Sequence, residues 1–262
     1  NVFIGHEAAY TNTTGNSNVA IGHRVFRSNT TGSSNTAIGL GALKTNTTGS
    51  NNTAVGTNAL MSTTTGSHNC AVGLQALYGC STGIDNVAVG KQALQDITTG
   101  GNCIGIGLDA GRSGSPSGAI STDSNRICIG NNSHADAFIK VSFTVTSDAR
   151  DKTDIQDFNH GLSWIKKLRP VTYRWDMRSN YENGIPDGSK KDTRLNIGLL
   201  AQEELEVEKE HGFANNEDDM LITTENIEGN YGMKYERIVP ILINAVKELS
   251  AEVEQLKSQL NN

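Results

Sequence analysis

Asn35-Thr36-Ala37-Ile38-Gly39-Leu40-Gly41-Ala42-Leu43, closed by Thr47-Thr48-Gly49, is one copy of a motif that fills the first part of the chain. Asn52-Thr53-Ala54-Val55-Gly56 and Asn86-Val87-Ala88-Val89-Gly90 repeat its opening. Gly5, Gly22, Gly39, Gly56, Gly73, Gly90 and Gly107 are each 17 residues apart, six steps without an insertion. Gly15, Gly32, Gly49, Gly66, Gly83 and Gly100 keep the same period. A fixed short period is the signature of a solenoid. Seventeen residues cannot hold two helices and a turn, and Gly with Thr-Thr at fixed places opposes helix. The reading is one β-solenoid coil per repeat, short strands broken by turns, with glycine at positive-φ corners. The asparagines would stack as an amide ladder. At about 4.8 Å per coil, seven coils make a rod roughly 34 Å long.

Successive strand residues point to opposite faces, so Ala37 and Ile38 put apolar groups on both. One face can line the coil. The other then needs a second chain, because so thin a coil buries too little to offset its backbone entropy. The expected assembly is a homotrimer, with a dimer second. The Ala-Ile-Gly-x-x-Ala repeats resemble the head repeats of trimeric autotransporter adhesins, a parallel β-roll, and repeats of viral and phage fibre proteins, over residues 1–111. Residues 112–146 form a degenerate cap: a Gly/Ser-rich loop with Pro116, one more coil at Asn125–Gly130, and a β-rich run over 137–146.

The 262 residues carry a net charge of −6, which leaves no basic footprint for nucleic acid. Residues 1–140 hold six acids and seven bases, so the rest carries −7, and a domain boundary is expected in this region. No apolar run reaches 18 residues, so neither a membrane span nor a signal peptide is expected. Because the chain opens in mid-repeat, it reads as the C-terminal piece of something longer. Cys70, Cys80, Cys103 and Cys128 lack CxxC spacing and read as buried free thiols, not a zinc site. The histidines show no metal spacing; no cofactor or metal is expected.

Two domains follow from this: a shaft, 1–146, and a second domain, 147–262, ending in a coiled coil over 236–262. The second opens with Ser147-Asp148-Ala149-Arg150-Asp151-Lys152. A serine hydroxyl becomes a nucleophile when a base takes its proton, and a lysine can be that base when its surroundings favour the neutral amine. The spacing alone is a weak signal. Ser147, Asp148, Arg150, Lys152 and Ile155, however, resemble the Ser-Asp-x-Arg-x-Lys-x-x-Ile signature of the intramolecular chaperone autoprocessing domain of phage tail spikes and fibres, a self-cleaving serine peptidase family. Leu168–Trp175, Ile197–Glu203 and Tyr235–Leu249 resemble its later segments.

The resemblance implies cleavage of the Ser147–Asp148 bond by a Ser147/Lys152 dyad, in a single turnover. Asp148 and Arg150 would either position the bond or form a turn with local ion pairs, and Gln202 and Glu203 are further candidates. Attack by Ser147 on its own carbonyl closes a strained four-membered ring, which leaves an activated water or the serine of a neighbouring protomer.

The remaining pattern predicts an amphipathic helix over 155–168, a strand at Thr172–Asp176, a polar loop at Tyr181–Thr193, and an acidic helix at Gln202–Glu210 whose glutamates form a solvated face. Short strands or loops are expected at Met220–Thr224 and Ile227–Tyr235. Val239, Leu242, Val246, Leu249, Val253, Leu256 and Leu260 step by 3 and 4, a heptad seam. Valine at a with leucine at d favours a parallel dimer, whereas the resemblance implies a trimer. The functional expectation is a virion tail-fibre protein, assembled in a host cytoplasm. The upstream shaft is the chaperone's client, and a host-surface receptor is its target. The alternative is a bacterial surface adhesin with a permanent trimeric cap and no scission.

Overall fold

The computed structural model describes residues 1–134, 136–140, 142–226 and 229–261. Val141 of the expected β-rich run and Ile227, the expected start of a strand or loop, lie outside the described residues. The chain divides into two units, Asn1–Ala137 and Phe138–Asn262.

In the first unit, β1 (Val2–Ile4), β2 (Val19–Ile21), β3 (Thr36–Ile38), β4 (Thr53–Val55), β5 (Cys70–Val72), β6 (Val87–Val89), β7 (Ile104–Ile106) and β8 (Ile127–Ile129) stack in sequence order as one parallel sheet. Each coil thus contributes one three-residue strand, and turns make up the rest. Register is that of the repeat: Ala20 pairs with Ala37, and Ala37 with Ala54. From β2 onward the central strand residue points inward; Ala20, Ala37, Ala54, Ala71 and Ala88 are all fully buried. Leu43, Leu60, Leu77 and Leu94 fill the opposite wall. Gly105 replaces the alanine of its column because a Cβ there would stand 2.6 Å from Leu94 Cγ. The outward column keeps Ile38, Val72, Val89 and Ile106 exposed.

The expected amide ladder is present. Asn52 takes its neighbour's Oδ1 with its backbone N–H at 2.9 Å, donates from Nδ2 to Gly66 O at 2.9 Å, and accepts from Asn69 N at 3.0 Å. The glycines divide into two kinds. Gly39 and its series take positive φ, 126° at Gly39 itself. Gly49 and its series do not: there a Cβ would lie 2.2 Å from Gly66 O. Other corners of the coil hold non-glycine residues at positive φ, such as Asn51 (59°), Asn58 (57°) and Leu60 (50°).

The second unit is α+β. Its elements are α1 (Leu162–Ile165), β9 (Val171–Tyr173) antiparallel to β10 (Asn196–Gly198), α2 (Ala201–Glu210), β11 (Thr223–Glu225) antiparallel to β12 (Tyr231–Met233), and α3 (Ile238–Leu260). Its core is Trp164, Val207, Ile222, Ile238 and Ile241.

Three expectations are corrected. The helix over 155–168 shrinks to four residues. Asn244 on α3 donates to the carbonyls of Phe158 and His160, and Gly161 packs so tightly that a Cβ would stand 2.6 Å from Ala245 N, so tertiary contact overrides the periodicity. Among the described residues of 137–146 there is no strand. Phe138 (95%) and Phe143 (82%) are exposed, and a strand needs a ladder partner that this run does not find within the chain. The glutamates of α2 are not all solvated, because Glu204 and Glu208 are buried.

Candidate active site

Ser147 precedes a short 3-10 turn, Ala149–Asp151. Asp148 caps that turn by accepting from Arg150 N at 2.9 Å. The same carboxylate takes the Arg150 guanidinium, with Nη2 to Oδ2 at 2.6 Å and Nε to Oδ1 at 3.1 Å. These bonds pull the Asp148 carboxyl below its ordinary value and push Arg150 above its own. An aspartate can do this because its short side chain reaches the amide two residues on, an Asx-type closure.

The turn reverses the chain, and Lys152 Nζ donates to Ser147 Oγ at 2.6 Å. Both side chains are exposed within this chain. A hydroxyl held on an amine is the arrangement in which a neutral lysine could take a proton from serine or from water beside it.

Of the other candidates, Glu203 is engaged elsewhere: Arg169 Nη2 and Nε both bond its carboxylate, the latter at 3.2 Å. Gln202 is exposed on α2. The structure therefore brings together Ser147, Asp148, Arg150 and Lys152, and ties Glu203 to Arg169.

Sequence reading missed a buried polar cluster in the same unit. Trp164 Nε1 donates to Glu204 Oε1 at 2.9 Å. Glu208 accepts from Leu221 N, Ile222 N, Thr223 N and Thr223 Oγ1, at 2.7, 3.2, 2.7 and 2.8 Å. The signal was there: Ala201, Glu204, Leu205 and Glu208 follow i, i+3, i+4, i+7 spacing, so two glutamates share the helix's apolar face.

The chain is thus a parallel β-solenoid followed by an α+β unit whose first turn juxtaposes serine and lysine. Residues 147–213 match the family model described as the chaperone of endosialidase, a family named as a peptidase. The match begins at Ser147 itself. Among curated proteins nothing matches the chain.

Proposed function

We propose that the chain belongs to a homotrimeric tail-fibre-like virion protein, in which the second unit assembles the solenoid and is then released by cutting its own Ser147–Asp148 bond. The observation that carries the reading is the 2.6 Å bond between Lys152 Nζ and Ser147 Oγ at the first residue of the family match. Thin coils must find register before any of them gains stability, so their association is slow and error-prone. A module that gathers the C-termini sets that register. Its removal leaves a shaft that can come apart only slowly, which is kinetic stability.

The chemistry is hydrolysis of one amide. Oxygen from water ends on the Ser147 carbonyl carbon, the C–N bond breaks, and Asp148 leaves with a free amine. Lys152 accepts the proton of the attacking water, or of a neighbouring protomer's serine, and returns it to the leaving nitrogen; in the second case the Ser147 acyl group passes through an ester on that serine, which water then hydrolyses to restore the hydroxyl. Packing of copies around the exposed turn would complete the surroundings of the Ser147–Lys152 pair, which couples cutting to assembly.

The test is intact mass on wild type, Ser147→Ala and Lys152→Ala. Fragments 1–147 and 148–262 from wild type, with both variants whole, uphold the reading. A wild type that stays whole makes the second unit a permanent cap.

A further inference from the structure

Two glutamates of α2 are buried, and only one of them is fully served. The carboxylate of Glu208 takes four donors. Glu204 accepts from Trp164 Nε1 at 2.9 Å through Oε1, but its Oε2 is buried with no hydrogen-bond partner among the described residues. A carboxyl so placed is stable as the neutral acid; once ionised it needs a cation or further donors.

A cation lies next door. Glu204 shares one surface cleft with Lys167, Arg169, Leu199, Leu200 and Glu203. Arg169 donates from Nη2 and Nε to Glu203, the residue beside Glu204 on α2. Lys167 is bound to Glu210, almost two turns further along the helix. Arg169 is therefore the nearer of the two. Its side chain is 62% exposed and that of Glu203 is 43%, so solvent screens their bond and little holds it in place. The other titratable groups here are differently engaged. Glu208 adds negative charge. His211 stacks on the Trp164 ring at 4.5 Å, with Nδ1 donating to Val207 O at 2.8 Å. His160 meets the same ring edge-on at 5.9 Å.

We infer that α2 carries a proton-controlled exchange of ion-pair partner: while Glu204 is neutral Arg169 stays on Glu203, and when Glu204 gives its proton to water Arg169 turns inward to the new carboxylate. The exchange sits at a joint. Through Trp164, Glu204 fastens α1 to α2, and Leu162 N of α1 is held on α3 by Glu248 Oε2 at 2.7 Å. The meeting point of three helices thereby responds to the pH of the medium. It needs neither scission nor assembly, so it stands apart from the function proposed above.

The test follows the emission of Trp164 against pH in the full chain. Trp175→Phe removes the other tryptophan, and Ser147→Ala guards against scission. Emission should titrate near neutral pH, and Glu204→Gln should abolish the transition. Arg169→Gln deprives the ionised form of its cation and should raise the midpoint by about one unit, a tenfold change in proton affinity. Glu203→Gln frees Arg169 and should lower the midpoint by a similar amount. The two exposed changes are then combined. Exchange makes the effect of Glu203→Gln depend on Arg169, so in the Arg169→Gln background it should shrink severalfold.

Shifts that simply add mean that both side chains act through space, and they overturn the exchange. So does a midpoint that Arg169→Gln leaves in place. A transition that survives in Glu204→Gln belongs to His160 or His211 and overturns it as well.

Discussion

The indole Nε1 of Trp164 donates to Glu204 Oε1 at 2.9 Å inside the second unit, while the other carboxyl oxygen, Oε2, is buried with no hydrogen-bond partner. Such a site favours the neutral acid. Burial pushes Glu204 up to about 7; the Trp164 bond works against that, and the nearby charge of Glu208 adds to it. The groups around it are Glu208 on α2, Trp164 of α1 with His211 stacked on its ring, and Lys167, Arg169 and Glu203 at the adjoining surface cleft.

The folded-state value is raised, so between its ordinary 4.5 and about 7 the folded unit binds the proton that the unfolded chain releases. The stabilisation is complete at acid pH and is lost as pH rises through about 7. The unfolding free energy from urea titrations should therefore fall between about pH 5.5 and about pH 8.5, by on the order of 2 kcal/mol. Glu204→Gln keeps an acceptor for the indole and should flatten the curve. Parallel slopes for the two proteins would remove Glu204 as the cause.

Glu208 presents the opposite case. Its carboxylate serves four donors around Leu221–Thr223 and so ties α2 to β11. Glu208→Ala strands two buried amides, a half-buried one and a hydroxyl, and should cost about 3 kcal/mol or more. Amide exchange would locate the damage: protection should drop first at residues 221–223, ahead of α3.

The two glycine series make separable predictions. Gly49→Ala keeps an ordinary φ but drives a methyl to 2.2 Å from Gly66 O, so adjacent coils must part. We expect it to abolish the cooperative melting of the solenoid. Asn51, at φ 59°, sits two residues away in the left-handed region, and Asn51→Gly relieves about 1 kcal/mol of strain against the entropy of a freer unfolded chain. Its melting temperature should move little. Equal effects from both changes would refute the packing argument.

The cap of the Ala149–Asp151 turn can be tested on cleavage rate. Arg150→Ala leaves Asp148 capping the turn through the backbone amide, whereas Asp148→Ala removes both bonds. Time courses should show a modest slowing, a few-fold, for the first and a larger one for the second, with Lys152→Ala slower than either. A faster Asp148→Ala than Arg150→Ala would mean that the cap does not set the Ser147–Lys152 geometry.

The solenoid was legible because its determinants are periodic. Asn35, Asn52 and Asn69 recur with the strand alanines, and a 17-residue step imposes the register directly. The left-handed conformation of Leu43 and Leu60 was not legible, since nothing local favours it in leucine. The stacking of coils holds it in place: Leu43 N donates to Ala59 O and Leu60 N to Ala76 O, both at 3.0 Å. The Ser147–Lys152 pair was readable through its surrounding pattern, whereas Glu204 and Glu208 left only the weaker signal of their spacing on the apolar face of α2. Their burial depends on Trp164 and Thr223, which are distant in sequence, and glutamates on a helix read as solvated when each is taken alone. The helix over 155–168 failed for a related reason, as Asn244 and Ala245 of α3 claim the backbone that the periodicity assigned to it.

The stack also tolerates length in one corner. From β7 to β8 the partner of Ile104 is Ile127, a step of 23 residues in place of 17. The extra residues are taken up around Gly111–Thr122, where Ile120 N closes back on Gly111 O at 2.8 Å. On the far side of the loop the bonds between coils resume: Asn102 Nδ2 donates to Asn125 Oδ1 at 2.7 Å and Gly101 N to Ser124 Oγ at 3.0 Å. The repeat can thus carry cargo without changing pitch. A foreign peptide spliced beside the exposed Ser113 would extend this loop, whereas Ser115, buried and bonded to Arg112 O at 2.7 Å and Gly118 O at 3.2 Å, must be kept to close it.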